Sequence, residues 1–129
     1  MIEVKNNNFL FNKEVNSYLN NIIKNKSFAN GYIFYGPEGV GKKQTAFQFI
    51  KEIFKQTSKS NNVEEKITNY NHPDFLIIEP DSLLATKSSG NRDFEKTIKS
   101  GLEIIKISQV RNIKTFLSQK SITSEKKIV

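Results

Sequence analysis

A glycine-rich run that begins at Gly36 limits the folds open to this chain more than any other stretch. It has the spacing G-x-x-x-x-G-K and consists of Gly36, Pro37, Glu38, Gly39, Val40, Gly41 and Lys42. Glycines let the backbone turn tightly and bring its N–H groups close to phosphate oxygens, and the lysine adds a positive charge. An apolar run, residues 32–35, precedes the motif, and a helical pattern follows it. The motif therefore predicts a phosphate-binding loop (P-loop) between a strand and a helix.

The residue after the motif is Lys43, where such loops usually carry Ser or Thr. The usual hydroxyl ligates the Mg²⁺ that accompanies the nucleotide. A protonated lysine has no lone pair to offer and repels a divalent cation. Thr45 cannot replace the hydroxyl, because two residues along a helix turn a side chain by about 200°. We assign Lys43 to the nucleotide-binding loop by position, and we expect weak ATP binding, doubtful Mg²⁺ binding and no catalytic residue.

Apolar spacing along the rest of the chain predicts alternating helices and strands. Helical periods cover residues 12–26 and 42–56, and strand-like runs cover residues 32–35 and 75–78. A weaker short helix is predicted after residue 62. A last helix is predicted with Ser108 as its N-cap and Val110, Ile113, Phe116 and Leu117 on one face.

The order of these elements predicts the fold class. Alternating strands and helices indicate an α/β fold with a parallel sheet covered by helices on both faces. Residues 81–103 have no convincing period and are predicted to be a long loop or an insertion. Residues 126–129 have the character of an opening third strand. The prediction is one domain over residues 1–129 that is incomplete at its C-terminus.

Composition narrows the function classes further. The chain has 129 residues and no cysteine, which excludes disulfides and thiolate metal sites. No stretch approaches the ~18 apolar residues of a membrane span, so a cytoplasmic protein without membrane contact is expected. The formal charge of +7 would suit a polyanionic partner. However, 18 lysines stand against two arginines and the basic residues are scattered, which favours the coding bias of an AT-rich genome.

Other candidate residues favour structural roles. Glu79 ends the second apolar run and could be a magnesium-binding acid, but we favour a buried strand followed by an ordinary exposed glutamate. His72 is the sole histidine and precedes Pro73, so a turn role is favoured over metal binding, and no zinc is expected. Arg111 is interpreted as a surface or interface residue. No nucleophile triad can be assembled.

Four segments taken together resemble the delta-prime family of bacterial clamp-loader subunits, which are components of DNA polymerase III. The segments are Ala29-Asn30-Gly31-Tyr32-Ile33-Phe34, the glycine-rich motif with Ala46, Asn71-His72-Pro73-Asp74-Phe75, and Ile105-Lys106-Ile107-Ser108-Gln109-Val110-Arg111 continuing to Phe116-Leu117-Ser118. The first two would fit many AAA+ ATPases, whereas the last two are more particular to this family. The resemblance covers about residues 9–129.

The resemblance implies an AAA+ fold and membership of a ring that loads a sliding clamp onto primed DNA. It implies other clamp-loader subunits as partners, with the clamp and the primer-template DNA contacted through the complex. Delta-prime-like subunits act mainly as a stator, and their phosphate loops are often degenerate, in agreement with Lys43. The chain departs from the family because it lacks the four-cysteine zinc module and because residues 81–103 exceed the usual link.

Two alternatives stay open at this point. One is an active AAA+ motor subunit of the same complex, which Lys43 argues against. The other is an unrelated P-loop nucleotide kinase that uses Glu79, which leaves the match of residues 105–118 unexplained. In the resembling family the Walker B, sensor and arginine-finger residues follow Val129. A fragment of marginal stability is therefore expected.

Overall fold

The computed structural model describes residues 12–59, 61–80 and 104–129, and these residues form four helices. They are α1 (Lys13–Asn25), α2 (Lys42–Thr57), α3 (Val63–Thr68) and α4 (Ile107–Ser118). The chain comprises two compact units, Met1–Glu64 and Glu65–Val129. The loop or insertion predicted for residues 81–103 lies outside the described residues, and a single domain over residues 1–129 stays a prediction. Among the described helices, none is long and apolar enough to cross a membrane.

Helix α1 begins and ends close to the predicted boundaries because both ends are capped. The Asn12 side-chain oxygen accepts hydrogen bonds from the backbone N–H groups of Glu14 and Val15 at 2.9 and 3.2 Å. At the other end Lys26 adopts a left-handed conformation with φ 52°, which closes the last turn. Part of the predicted apolar face is buried, namely Leu19, Ile22 and Ile23. The remainder is exposed, because Val15 and Tyr18 retain 38% and 64% of their accessible surface.

Helix α2 starts directly after Gly41 and confirms the predicted helix over residues 42–56. Its buried residues are Phe49, Ile53, Phe54 and Thr57. Thr57 lies inside this apolar face because its hydroxyl donates to the Ile53 carbonyl at 2.9 Å. The Tyr32 ring meets Phe49 edge-on, with 5.2 Å between ring centroids. This contact places the segment before the glycine loop against α2.

The two predicted strands do not form a β-ladder within the described residues. An isolated parallel bridge joins Phe75 to Ile128. In it the Leu76 N–H donates to the Ile128 carbonyl at 2.9 Å, and the Ile128 N–H donates to the Asp74 carbonyl at 3.0 Å. In residues 32–35 exposure alternates, since Tyr32 and Phe34 are half-buried while Ile33 and Tyr35 are 90% and 91% exposed. That period of two is typical of a strand, but the parallel sheet itself stays a prediction.

Helix α4 begins earlier than predicted. Ser108 was expected as its N-cap, but the N-cap is Lys106, so that expectation is wrong. The reason is the Gln109 side chain, whose oxygen accepts the Lys106 backbone N–H at 2.8 Å and closes the first turn there. The predicted apolar face is present but not buried. Val110 and Leu117 are each more than half exposed.

A turn in the C-terminal unit is built around His72 and Asp74. The Phe75 N–H donates to the His72 carbonyl at 3.1 Å, and the Asp74 N–H donates to His72 Nδ1 at 3.2 Å. His72 is therefore the predicted turn histidine. Its side chain is buried, which lowers its pKa, and Lys66 lowers it further while Asp74 raises it. Because His72 Nδ1 accepts the hydrogen bond from the Asp74 N–H, that nitrogen carries no proton.

The Asp74 carboxylate ties this turn to residues 122–124. Among the described residues, five groups donate to it at 2.7–3.1 Å: the N–H groups of Ile122, Thr123 and Ser124 and the hydroxyls of Thr123 and Ser124. Asp74 is completely buried. Burial alone would raise the pKa of Asp74, but the N–H groups of Thr123 and Ile122 and both Ser124 donors outweigh it and lower the pKa to about 2.

We predict that Asp74→Asn lowers the free energy of unfolding by about 3 kcal/mol, because an amide NH₂ group would face donors that require acceptors. Since the folded pKa lies below the ordinary value of 3.8, the stabilisation is present above pH ~4 and is lost as the pH falls toward 2. That loss amounts to about 2 kcal/mol. Urea unfolding from pH 7 to pH 2, followed by circular dichroism, measures both effects. Glu125→Gln, at an exposed carboxylate, is the control; equal losses in the two variants would contradict the prediction.

Candidate functional site

The glycine-rich loop, residues 36–42, lies in the N-terminal unit between the segment 32–35 and helix α2. Gly39 and Gly41 have φ values of 79° and 83°, in the left-handed region that residues with a Cβ rarely adopt. Gly41 is also the N-cap of α2, so the reversal of the chain and the start of the helix coincide. The first turn of α2 carries no acidic residue. The positive end of the helix dipole is therefore not neutralised there by a carboxylate.

The Lys42 side chain folds back over the loop. Its Nζ donates to the Gly36 carbonyl at 2.8 Å and to the Pro37 carbonyl at 2.7 Å. The ammonium therefore lies between the first residues of the loop and the start of α2. Among the predicted site residues, these contacts bring together Gly36, Pro37 and Lys42. Glu38 and Val40 are exposed at the tip of the loop.

The next residues of α2 do not offer the loop a hydroxyl for a magnesium ion. Lys43 Nζ lies 5.9 Å from the centroid of the Phe47 ring, one turn along α2. The Thr45 hydroxyl donates to the Gly41 carbonyl at 2.9 Å, within the first turn of the helix. The chemistry of these donors fits a phosphate group, which Lys42 could contact. It does not fit Mg²⁺, because the hydroxyl expected after the lysine is replaced by an ammonium.

A largely apolar groove of about 520 Å³ adjoins the loop, and the sequence did not predict it. It is bounded by α1, by the segment before the loop and by the start of α2. The lining residues are Asn12, Val15, Asn16, Tyr18, Leu19, Tyr32, Ile33, Phe34, Tyr35, Gly36, Pro37, Val40, Lys42 and Thr45. Such a groove can accept a flat apolar group beside a phosphate. Periodicity marked Val15 and Tyr18 as apolar-face residues, but it carries no information about whether a face is covered.

The remaining candidate residues, Glu79 and Arg111, lie in the C-terminal unit, and the surroundings of each indicate a structural role. Glu79 is buried, with 7% of its surface exposed, so the expectation of an ordinary exposed glutamate is wrong. Its carbonyl accepts the Gln109 side-chain NH₂ at 2.8 Å, which holds the end of the 75–79 segment against the start of α4. Arg111 is exposed, as predicted. Within the described ranges, no group of three or more His, Asp or Glu residues is placed to hold a metal ion.

Comparison with known proteins shows the family to which the chain belongs. Residues 11–129 match the family described as DNA polymerase III, delta subunit. The DNA polymerase III subunit delta' of Bacillus subtilis (strain 168) is 30% identical over 90 residues, which are 66% of this chain and 27% of that relative. The chain thus spans about a quarter of the length of the curated relative. No solved structure matches it. The two matches confirm the resemblance drawn from the sequence motifs.

We predict that Gly39→Ala loosens the loop and lowers the free energy of unfolding by about 1 kcal/mol, because a Cβ is disfavoured at φ 79°. The added methyl group would meet no atom within 4 Å, so backbone conformation alone sets the cost. Gly31→Ala is the matched control, since its Cβ also meets nothing within 4 Å and its φ lies outside the left-handed region. Urea denaturation of both variants is the measurement. An equal effect at the two positions would argue against a glycine requirement in the loop.

Proposed function

Because this chain belongs to the delta-prime family of DNA polymerase III subunits, we propose that it acts in DNA replication as a clamp-loader subunit. The observation that carries the proposal is the family match, which extends over residues 11–129 and includes both particular motifs, at residues 71–75 and 105–118. Its partners in this proposal are the other subunits of a hetero-oligomeric ring. The sliding clamp and primer-template DNA are reached through that ring, in the cytoplasm.

Within the ring we assign the chain a scaffold role and not that of a motor. Hydrolysis of ATP by a P-loop protein requires a magnesium ion held partly by the hydroxyl that follows the loop lysine. Here that residue is Lys43, and the hydroxyl of Thr45 is bonded to the Gly41 carbonyl. In this proposal the loop retains a lysine that could contact a phosphate but offers no hydroxyl ligand for the metal. ATP binding in this proposal is weak and does not need Mg²⁺.

The proposed fold is an AAA+ P-loop domain with a parallel sheet flanked by helices. Two features of the described residues support it. The bridge between Phe75 and Ile128 is parallel, as neighbouring strands of such a sheet would be. The alternating exposure of residues 32–35 suits a strand that directly precedes a phosphate loop. Helices α1 and α2, before and after that segment, contact one another, and in the proposed fold they would belong to a layer that covers the sheet.

We predict that the protein assembles with clamp-loader subunits. When the chromosomal copy is tagged and isolated in high salt, which screens the attraction of a +7 chain for polyanions, the other clamp-loader subunits of the same organism should co-elute with it. Nuclease treatment before isolation removes association through DNA, and a tagged, unrelated basic protein is the control. Isolation of the tagged protein without any other clamp-loader subunit, or with no more of them than the control protein carries, would contradict the proposal.

We predict no measurable ATP hydrolysis and nucleotide binding that does not depend on Mg²⁺. Lys42→Ala should weaken binding by roughly tenfold, because one charged hydrogen-bond donor to phosphate is lost. Lys43→Thr restores a hydroxyl at the position of the metal ligand, and in this variant Mg²⁺ should strengthen binding. Calorimetric titration with ATP, with Mg²⁺ or with EDTA, tests both variants. Hydrolysis at rates ordinary for AAA+ enzymes, abolished by Lys42→Ala, would disprove the scaffold assignment.

A further inference from the structure

The connection between α1 and the segment 32–35 contains an asparagine followed directly by a glycine, Asn30 and Gly31. The sequence has this pair at no other position. Both residues are exposed, and neither belongs to a helix. Asparagine carries an electrophilic amide carbon one methylene group away from its main chain, and glycine lacks the Cβ that would shield the next backbone nitrogen. The pair therefore combines an electrophile and a nucleophile in neighbouring residues.

The surroundings of the pair leave the two groups open to reaction. Within the part of the chain that the structure describes, neither Asn30 nor Gly31 takes part in a hydrogen bond. A Cβ built on Gly31 would meet no atom within 4 Å, so the space beside this residue is open. An exposed N–H group that is not hydrogen-bonded can lose its proton to solvent without any opening of the fold. The Gly31 nitrogen therefore needs no unfolding step to become a nucleophile.

We propose that Asn30 is a site of spontaneous covalent modification, namely deamidation through a cyclic imide. The Gly31 nitrogen attacks Cγ of Asn30, so that an N–Cγ bond forms and the Cγ–Nδ2 bond breaks. Nδ2 leaves as ammonia and takes the proton that the Gly31 nitrogen loses. Water then opens the imide, its hydroxyl going to one carbonyl carbon and its hydrogen to the nitrogen. Cleavage of the N–Cγ bond leaves aspartate, and cleavage of the original peptide bond leaves isoaspartate, whose main chain runs through Cβ and Cγ.

The two products differ in their effect on the neighbouring contacts. The Ala29 N–H donates to the Tyr32 hydroxyl at 2.8 Å, which closes a turn around Asn30 and Gly31. The Tyr32 ring in turn meets Phe49 of α2 edge-on, at 5.2 Å between centroids. Isoaspartate adds a carbon atom to the main chain inside this turn, whereas aspartate adds only a charge at an exposed position. Isoaspartate therefore disturbs the packing of Tyr32 on α2, and aspartate does not.

The test compares the reaction at two asparagines of the purified protein in mildly alkaline buffer, with and without denaturing guanidinium chloride. Peptide mapping by mass spectrometry locates each new acid, and an isoaspartate-specific methyltransferase with a labelled methyl donor measures isoaspartate. Asn16, which precedes Ser17, is the internal control. Ser17 lies beyond the first four residues of α1, so its N–H belongs to the helical hydrogen-bond ladder.

We expect Asn30 to react at rates within about threefold of each other in the two buffers, because the fold does not protect it. Asn16 should react at least roughly tenfold more slowly in the folded protein than in denaturant, because its helix must open first. Gly31→Ala is the matched variant, since the added Cβ shields the nitrogen and meets no other atom within 4 Å. This variant should slow the reaction at Asn30 roughly tenfold.

The effect on Tyr32 is measured separately, by NMR of the Tyr32 and Phe49 ring protons. Isoaspartyl protein, separated by ion-exchange chromatography, is compared with Asn30→Asp, which carries the same charge on an unaltered main chain. Because the two rings lie edge to face, a change in their packing shifts these signals. We expect shifts in the isoaspartyl protein and none in Asn30→Asp, and equal shifts in both would contradict the structural effect assigned to isoaspartate.

Two results would overturn the proposed site. One is a reaction at Asn30 that is about tenfold or more slower in the folded protein than in denaturant, which would show that the fold protects it. The other is an unchanged rate in Gly31→Ala. The modification goes beyond the proposed function and does not depend on it, since the experiment involves neither nucleotide nor a partner subunit. Its failure would leave the clamp-loader proposal standing, and failure of that proposal would leave the modification site standing.

Discussion

The C-terminal unit depends on one buried carboxylate, that of Asp74. An ionised group removed from water is costly unless its lone pairs are satisfied. Here the donors found among the described residues come from the segment 122–124. These hydrogen bonds therefore hold both the Asp74 side chain and the backbone of residues 122–124 in place. The backbone of the same residue extends the effect, because the Asp74 carbonyl accepts the Ile128 N–H in the parallel bridge. One residue thus sets both the turn at His72 and the register of the bridge.

The N-terminal unit applies the same principle with the opposite sign of charge. The ammonium of Lys42 is satisfied by two main-chain carbonyls of the glycine loop, and it organises a segment that packs little of its own surface. In both units, within the part of the chain that the structure describes, a charged side chain is paired mainly with backbone groups. Backbone groups are fixed in direction by the chain, so such pairing specifies a loop conformation more narrowly than a surface salt bridge does.

The sequence predicted those parts of the fold that local chemistry determines. The bounds of α1 and α2 followed from apolar spacing, and the structure shows that Asn12 and Gly41, which are local to these helices, cap their first turns. The errors arose where a helix boundary or the burial of a side chain depends on contacts that apolar spacing does not show. Gln109 moved the start of α4 to Lys106, and the packing of the C-terminal unit buried Glu79, while the face with Val110 and Leu117 stayed exposed. Similarly, the motif located the loop residues, but neither the groove beside them nor the inward fold of Lys42 can be read from spacing.

The contrast between Lys42 and Lys43 explains how the glycine-rich loop can keep its shape without a hydroxyl group in the residue after its lysine. The shape depends on glycines in the left-handed region, on the start of α2 and on the hydrogen bonds from Lys42 to the loop carbonyls, and none of these involves residue 43. Lysine is a good helix former, and at position 43 its Nζ reaches the Phe47 ring along the helix, so the replacement costs the fold little. A hydroxyl at this position would serve the metal and not the loop. The loop therefore joins the segment 32–35 to α2 whether or not a metal-bound nucleotide occupies it.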